Sequence, residues 1–96
     1  MKSEILRLQD WFESQCDKDW EHGNGIKIKT LDNPGWSLDI ELDGTILIDK
    51  ELSEYKENYE HETDWITCKK EGSIFQGRGG PKQLLKIIQF FLDWAK

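Results

Sequence analysis

Apolar residues recur at helical spacing near both ends of the chain and at every second position between them. Ile5, Leu8 and Phe12, extended by Cys16 and widened by Leu6 and Trp11, form a stripe just after Ser3, whose hydroxyl can accept a backbone N–H and cap a helix. The pattern predicts a first helix ending near residues 17–19. Gly23 and Gly25 then break the periodicity, and GIKIKTL alternates Ile26, Ile28 and Thr30 against Lys27, Lys29 and Leu31, as a strand with one buried face should. Pro34 and Gly35 predict a type II reversal over 33–36, since proline presets φ at the second position and glycine supplies the positive φ that follows. Trp36, Leu38, Ile40 and Leu42 share one face of the returning strand, and Asp43-Gly44 predicts a turn into a third strand over 45–48. These elements make a three-stranded meander.

Residues 49–64 carry seven acids and two lysines with little apolar periodicity, and so predict a solvated connection, with Tyr55 and Tyr59 able to pin it. Two more strands follow over 65–70 and 73–76, joined across Glu71-Gly72. GRGGP reads as a loop ending at Pro81, a favoured first helical residue. In the last helix Lys82, Lys86, Gln89, Asp93 and Lys96 form one polar stripe opposite Leu84, Leu85, Ile87, Ile88, Phe91 and Leu92. Phe90 and Trp94 widen the apolar arc, so this helix is expected between the sheet and the first helix, or else with part of it facing a partner. The fold class is α+β: one domain over 1–96, with an N-terminal helix, an antiparallel sheet of about five strands, and a C-terminal amphipathic helix packed on the sheet.

Charge changes the picture more than length does. The 96 residues carry a net charge of -6, split between 7 Lys/Arg against 17 Asp/Glu up to residue 64 and 6 against 2 beyond it. Such a balance makes nucleic acid a poor direct partner and a basic protein a plausible one, although acidity is equally the ordinary device of a soluble protein. No apolar run is long enough to span a membrane, and the acids within MKSEILRLQDW are unlike an export signal, which points to the cytoplasm and to no membrane partner. Cys16 and Cys68 lie outside any CxxC spacing and are expected as free thiols.

The densest chemistry lies in CDKDWEHGNG. Asp17, Asp19, Glu21 and His22 have the composition of a metal site, but neither a calcium loop's DxDxDG pattern nor recurring zinc ligands accompany them, and the other histidine, His61, lies in the acidic connection. The alternative is structural: Asp17 or Asp19 as helix-terminus and turn residues, Trp20 in the core, and Glu21 and His22 as polar groups that fix the entry into the first strand. Cys16 is a poor nucleophile beside Asp17, because a carboxylate and a helix C-terminus both raise a thiol pKa. GRGGP before a helix resembles an anion-binding loop with Arg78 adding charge, yet it lacks both the lysine-hydroxyl pair of a phosphate loop and a GxGxxG pattern. No catalytic triad can be composed. Five tryptophans, Trp11, Trp20, Trp36, Trp65 and Trp94, are expected mostly in the core, with at least one available as an interface anchor.

With these residues in view, the run LQDWFESQCDKDWEHGNGIKIKTLDNPGW resembles the immunity protein 53 family of bacterial polymorphic toxin systems, and a late GxGGP before an apolar helix continues the likeness to the C-terminus. The resemblance implies a non-enzymatic antidote without cofactor or metal, whose partner is a cognate toxin. A basic nuclease-type toxin would suit the acidity, met by an acidic face of Asp17, Asp19, Glu21, Glu51, Glu54, Glu57, Glu60, Glu62 and Asp64. Two rivals remain open: a small enzyme using Glu21 and His22, and a metal- or ligand-binding module.

Overall fold

The computed structural model describes residues 3–58 and 60–96. Helix α1 (Glu4–Gln15) starts where the Ser3 hydroxyl accepts the Leu6 N–H at 3.3 Å. A four-residue helix α2 (Trp20–Gly23) follows, then β1 (Ile26–Leu31) and β2 (Gly35–Glu41). Beyond β2 come a 3-10 turn (Ile46–Asp49), β3 (Tyr55–Glu57), β4 (Ile66–Glu71), β5 (Ile74–Gly79) and α3 (Leu84–Trp94). The five strands form one antiparallel sheet in the order β1-β2-β5-β4-β3.

Both long helices cover one face of that sheet. The α3 helix lies across β2, β4 and β5, and α1 packs on α3. Leu38, Ile40, Ile66, Cys68 and Phe75 from the sheet meet Ile87, Ile88, Phe91 and Leu92 from α3, with Leu8 of α1 completing the core. Aromatic edges tie the layers: Trp11 meets Phe91 and Phe75 meets Phe91, each at a centroid distance of 5.0 Å. Such pairs contribute beyond the apolar area they bury. Leu85, counted in the buried arc of the helix, is instead half exposed, because α1 reaches α3 further along, where Glu4 meets Gln89 and Arg7 meets Asp93.

The opposite face of the sheet is open. Lys27, Lys29, Asp39, Gln76, Arg78, Thr67 and Lys69 alternate onto it by register, with Arg78 paired to Asp39 at 2.7 Å.

Four sequence expectations are corrected. Residues 45–48 are not a third strand: the free side of β2 is filled by β5, and the Thr45 hydroxyl accepts the Leu47 N–H at 3.1 Å, a side-chain cap that favours the 3-10 turn. The third strand lies instead inside the acidic connection, where Tyr55 faces inward and stacks on Phe90 at 5.0 Å; Tyr59 lies outside the described residues. The reversal before β2 has a cis Asn33-Pro34 peptide, and positive φ occurs at Gly44 and Gly72 rather than Gly35. Gly35 serves close approach, since a Cβ there would sit 2.3 Å from the Gly79 carbonyl oxygen. Last, Gly77, Arg78 and Gly79 belong to β5, and α3 begins at Leu84 rather than Pro81. Both thiols are free, with Cys68 buried and its pKa pushed by that burial up to about 12.

Candidate functional site

Around Asp17 the acids serve the backbone. The Asp17 carboxylate accepts the N–H groups of Asp19 and Trp20 at 2.9 and 2.8 Å. Glu21 returns its two oxygens to the N–H groups of Asp17 and Lys18 at 3.0 and 2.9 Å. This reciprocal arrangement satisfies the backbone donors of the link between α1 and α2 and the first N–H of α2. Its product is the placement of Trp20, which is buried, meets Trp11 and Phe12 edge-on at 6.1 and 5.9 Å, and donates its indole N–H to the Asp43 carbonyl at 2.8 Å. Asp19 is exposed.

His22 lines an open cleft of about 290 Å³ with Asn24, Lys27 and Glu41, and Glu21 does not line it. The proposed acid-base pair is therefore not assembled there. Burial first, then Glu21, Glu13 and Asp17, push the Cys16 thiol pKa up, away from nucleophilic use. Among the described residues no group of three or more His, Cys, Asp or Glu side chains is arranged to hold a metal ion.

The acids of the connection divide by what they touch. Glu54 pairs with Lys56 at 3.2 Å, and Glu57 pairs with Lys86 at 2.7 Å while accepting the Tyr55 hydroxyl. The Glu51 carbonyl accepts the Trp94 indole N–H at 3.0 Å, leaving the Glu51 side chain exposed. Beyond β3 the chain turns around His61, whose Nδ1 accepts the N–H groups of Thr63 and Asp64 at 3.1 and 3.0 Å. That turn leaves Glu60, Glu62 and Asp64 exposed. With Asn33 and Pro34 from the β1–β2 reversal, His61, Glu62, Thr63 and Trp65 line a polar cleft of about 550 Å³. Trp36 fixes the neighbouring chain by donating its indole N–H to the Pro81 carbonyl at 2.9 Å.

Six of the nine acids fall into two groups along the sheet. Asp17, Asp19 and Glu21 adjoin the C-terminal end of β2, where Glu41 N–H bonds Gly25 and Trp20 bonds Asp43. Glu60, Glu62 and Asp64 adjoin its N-terminal end, where the cleft includes Pro34 and Gly80 N–H bonds Trp65. A seven-residue strand separates the groups, about 20 Å of extended chain. No local pattern encodes this separation, since both groups lie in acidic segments and only the strand order puts them at opposite ends.

Several of these carboxylates give stability a pH dependence of definite sign. Lys86 first, then Tyr55, hold Glu57 below the ordinary carboxylate range; the Trp20 N–H first, then Asp19, do the same for Asp17; and the Gln89 side chain holds Glu4 down. A carboxyl whose pKa falls on folding adds stability that is complete above its unfolded value and disappears as pH drops through the folded one. The urea midpoint is expected to fall steadily below about pH 5, where unfolded carboxyls begin to protonate, and Glu57→Gln should flatten part of that slope. An unchanged slope in the variant would remove Glu57 from the account.

GRGGP is not an anion loop either. A Cβ at Gly77 would sit 2.3 Å from Ile87 Cγ2, and one at Gly80 would sit 1.7 Å from the Thr63 carbonyl oxygen. These glycines are contact surfaces for α3 and for the loop that carries the acidic cleft.

The fold is thus an α+β domain held by aromatic clamps, in which Asp17 and Glu21 serve the backbone and the other acids pair with side chains or stand exposed. The chain matches the family model of Immunity protein 53 over residues 5–96 and belongs to that family. Membership implies a non-enzymatic role and a cognate toxin as partner. No curated protein and no solved structure matches the chain. No helix among the described residues is long and apolar enough to cross a membrane.

Proposed function

We propose that this protein neutralises a basic, nuclease-type toxin in the bacterial cytoplasm, by covering the toxin's active surface with the acidic end of its sheet. The residues assigned to contact are Glu60, Glu62 and Asp64, with half-buried Trp65 as the apolar anchor beside them. One observation carries this choice: Glu60, Glu62 and Asp64 are exposed within five residues of chain, and Glu60 and Glu62 have no hydrogen bond or ion pair among the described residues, whereas Asp17, Glu21, Glu54 and Glu57 are already engaged within the chain and exposed Asp19 and Glu51 lie singly in other segments. Clustered, unpaired carboxylates at a cleft raise the association rate of a cationic partner and select against anionic ones.

Titration of the toxin encoded beside the gene tests this reading. The double variant Glu60→Lys, Glu62→Lys is expected to slow association by about tenfold at low salt, and by less as salt screens the charges. Undiminished affinity and an unchanged salt dependence would remove the acidic end from the interface.

A further inference from the structure

The sheet has two edges, and they are protected very differently. On one side β3 is three residues long. On the other, β1 runs for six residues, and Lys27, Ile28, Lys29 and Thr30 are all exposed along it. In an antiparallel pair the hydrogen-bonded positions alternate. Because Gly25 accepts the Glu41 N–H at 3.1 Å, the register assigns Lys27 and Lys29 to bonds with β2, so the N–H and C=O groups of Ile26, Ile28 and Thr30 face outward. An unprotected strand edge of this length is a template for another strand.

The two sides of that edge differ in chemistry. On the helix side, Ile28, Ile5 and Phe12 are 42%, 49% and 37% exposed and border an apolar groove of about 350 Å³ between α1 and β1. On the open side stand Lys27 and Lys29, which have no ion-pair partner among the described residues. A second copy of the chain is a poor occupant. Two-fold antiparallel pairing centred on Ile28 would set each copy's Lys27 opposite the other's Lys29, and like charges directly opposite each other destabilise a strand pair. The edge rejects itself and favours a strand of opposite charge. Its far end also leads, through Leu31, to Asn33 and Pro34, which line the polar cleft beside Glu62.

We propose that the free edge of β1 receives an extended segment of the toxin in which apolar side chains alternate with carboxylates, extending the sheet by one strand. Its apolar side chains lie on Ile5, Phe12 and Ile28, its carboxylates lie beside Lys27 and Lys29, and its backbone pairs with Ile26, Ile28 and Thr30. The inference rests on the antidote reading for the source of the strand, and it assigns that partner a second, independent contact.

Two peptides serve as probes, one alternating valine with glutamate and one alternating valine with lysine, followed by the toxin itself. The glutamate peptide is expected to bind more tightly and to slow amide hydrogen exchange at Ile28 and Thr30. Lys27→Glu with Lys29→Glu should reverse that preference by about tenfold. Thr30→Pro removes an outward N–H and no bond to β2, so it should block the edge while the sheet still forms. Both variants should weaken toxin binding while the Glu60/Glu62 contact remains. Equal binding of the two peptides would overturn the proposal, as would self-association that protects Ile28, or full toxin affinity in both variants. In that last case the antidote reading stands and only the edge falls; a toxin that ignores the wild-type protein sinks both.

Discussion

Phe91→Ala is expected to lower stability by about 3–5 kcal/mol, the usual cost of truncating a fully buried aromatic residue. Phe91 has no exposed surface. It is the residue through which three layers communicate, since its ring meets Trp11 of α1 and Phe75 of β5 edge-on, each at 5.0 Å, and lies 6.2 Å from the ring of Trp94. Removing the ring leaves a cavity that cannot close by a local shift, because the sheet and α1 are both held by other contacts to α3. Domains of this size are stable by only about 5–15 kcal/mol, so a loss of this magnitude would leave a substantial unfolded population at physiological temperature. Urea denaturation followed by tryptophan fluorescence measures it. Phe91→Leu, which keeps most of the volume, should cost clearly less; equal losses would show that the ring contacts, which both variants remove, outweigh the buried volume.

Gly80→Ala is expected to be the most damaging single-methyl addition in the chain. The added Cβ would stand 1.7 Å from the Thr63 carbonyl oxygen and 2.6 Å from its carbon, and backbone cannot rotate away as a flexible side chain can. Either the loop carrying Glu60, Glu62 and Asp64 shifts, or the start of the turn into α3 does. Overpacking of this kind costs about 1–3 kcal/mol and sometimes more. Where the variant still folds, toxin affinity should fall with stability, because the displaced segment is the one assigned to the toxin. Gly77→Ala tests the neighbouring contact through a different partner, Ile87 Cγ2 at 2.3 Å. Combined with Ile87→Ala, its cost should be smaller than the sum of the two single losses, as contacting residues couple non-additively. Strict additivity would separate Gly77 from Ile87.

These glycines also mark where sequence reading stopped. In the chain, GRGGP is indistinguishable from a flexible loop before a helix, since glycine permits irregular backbone and lacks a side chain for periodicity. Folded, Gly77 and Gly79 continue the inner face of β5, opposite Leu38 and Trp36, and are small because α3 crosses there. The third strand was misplaced for a related reason. Thr45, Ile46, Leu47 and Ile48 have high strand propensity, but β2 had one open side, and the distant β5 took it. Tyr55 to Glu57 looks too charged for a strand, yet a three-residue edge needs only one inward side chain, and Tyr55 supplies it.

Within the candidate site, Asp17 was legible as a turn residue because its bonds to Asp19 and Trp20 are local, within three positions; Glu21, expected at the entry into the first strand, instead turns back to the Asp17 and Lys18 N–H groups. The acidic cleft was legible only as composition.

Both long helices, the β1–β2 hairpin, the fold class and the family are written into the chain locally, because all of these rest on local periodicity, short turns and the order of motifs along it. Tertiary structure alone decided that β5 lies between β2 and β4, that the two acidic groups stand at opposite ends of the sheet, and that β1 is left as an open edge flanked by lysines. Those are consequences of strand order, which depends on contacts between segments far apart in the chain, and no local pattern encodes which edge remains unpaired.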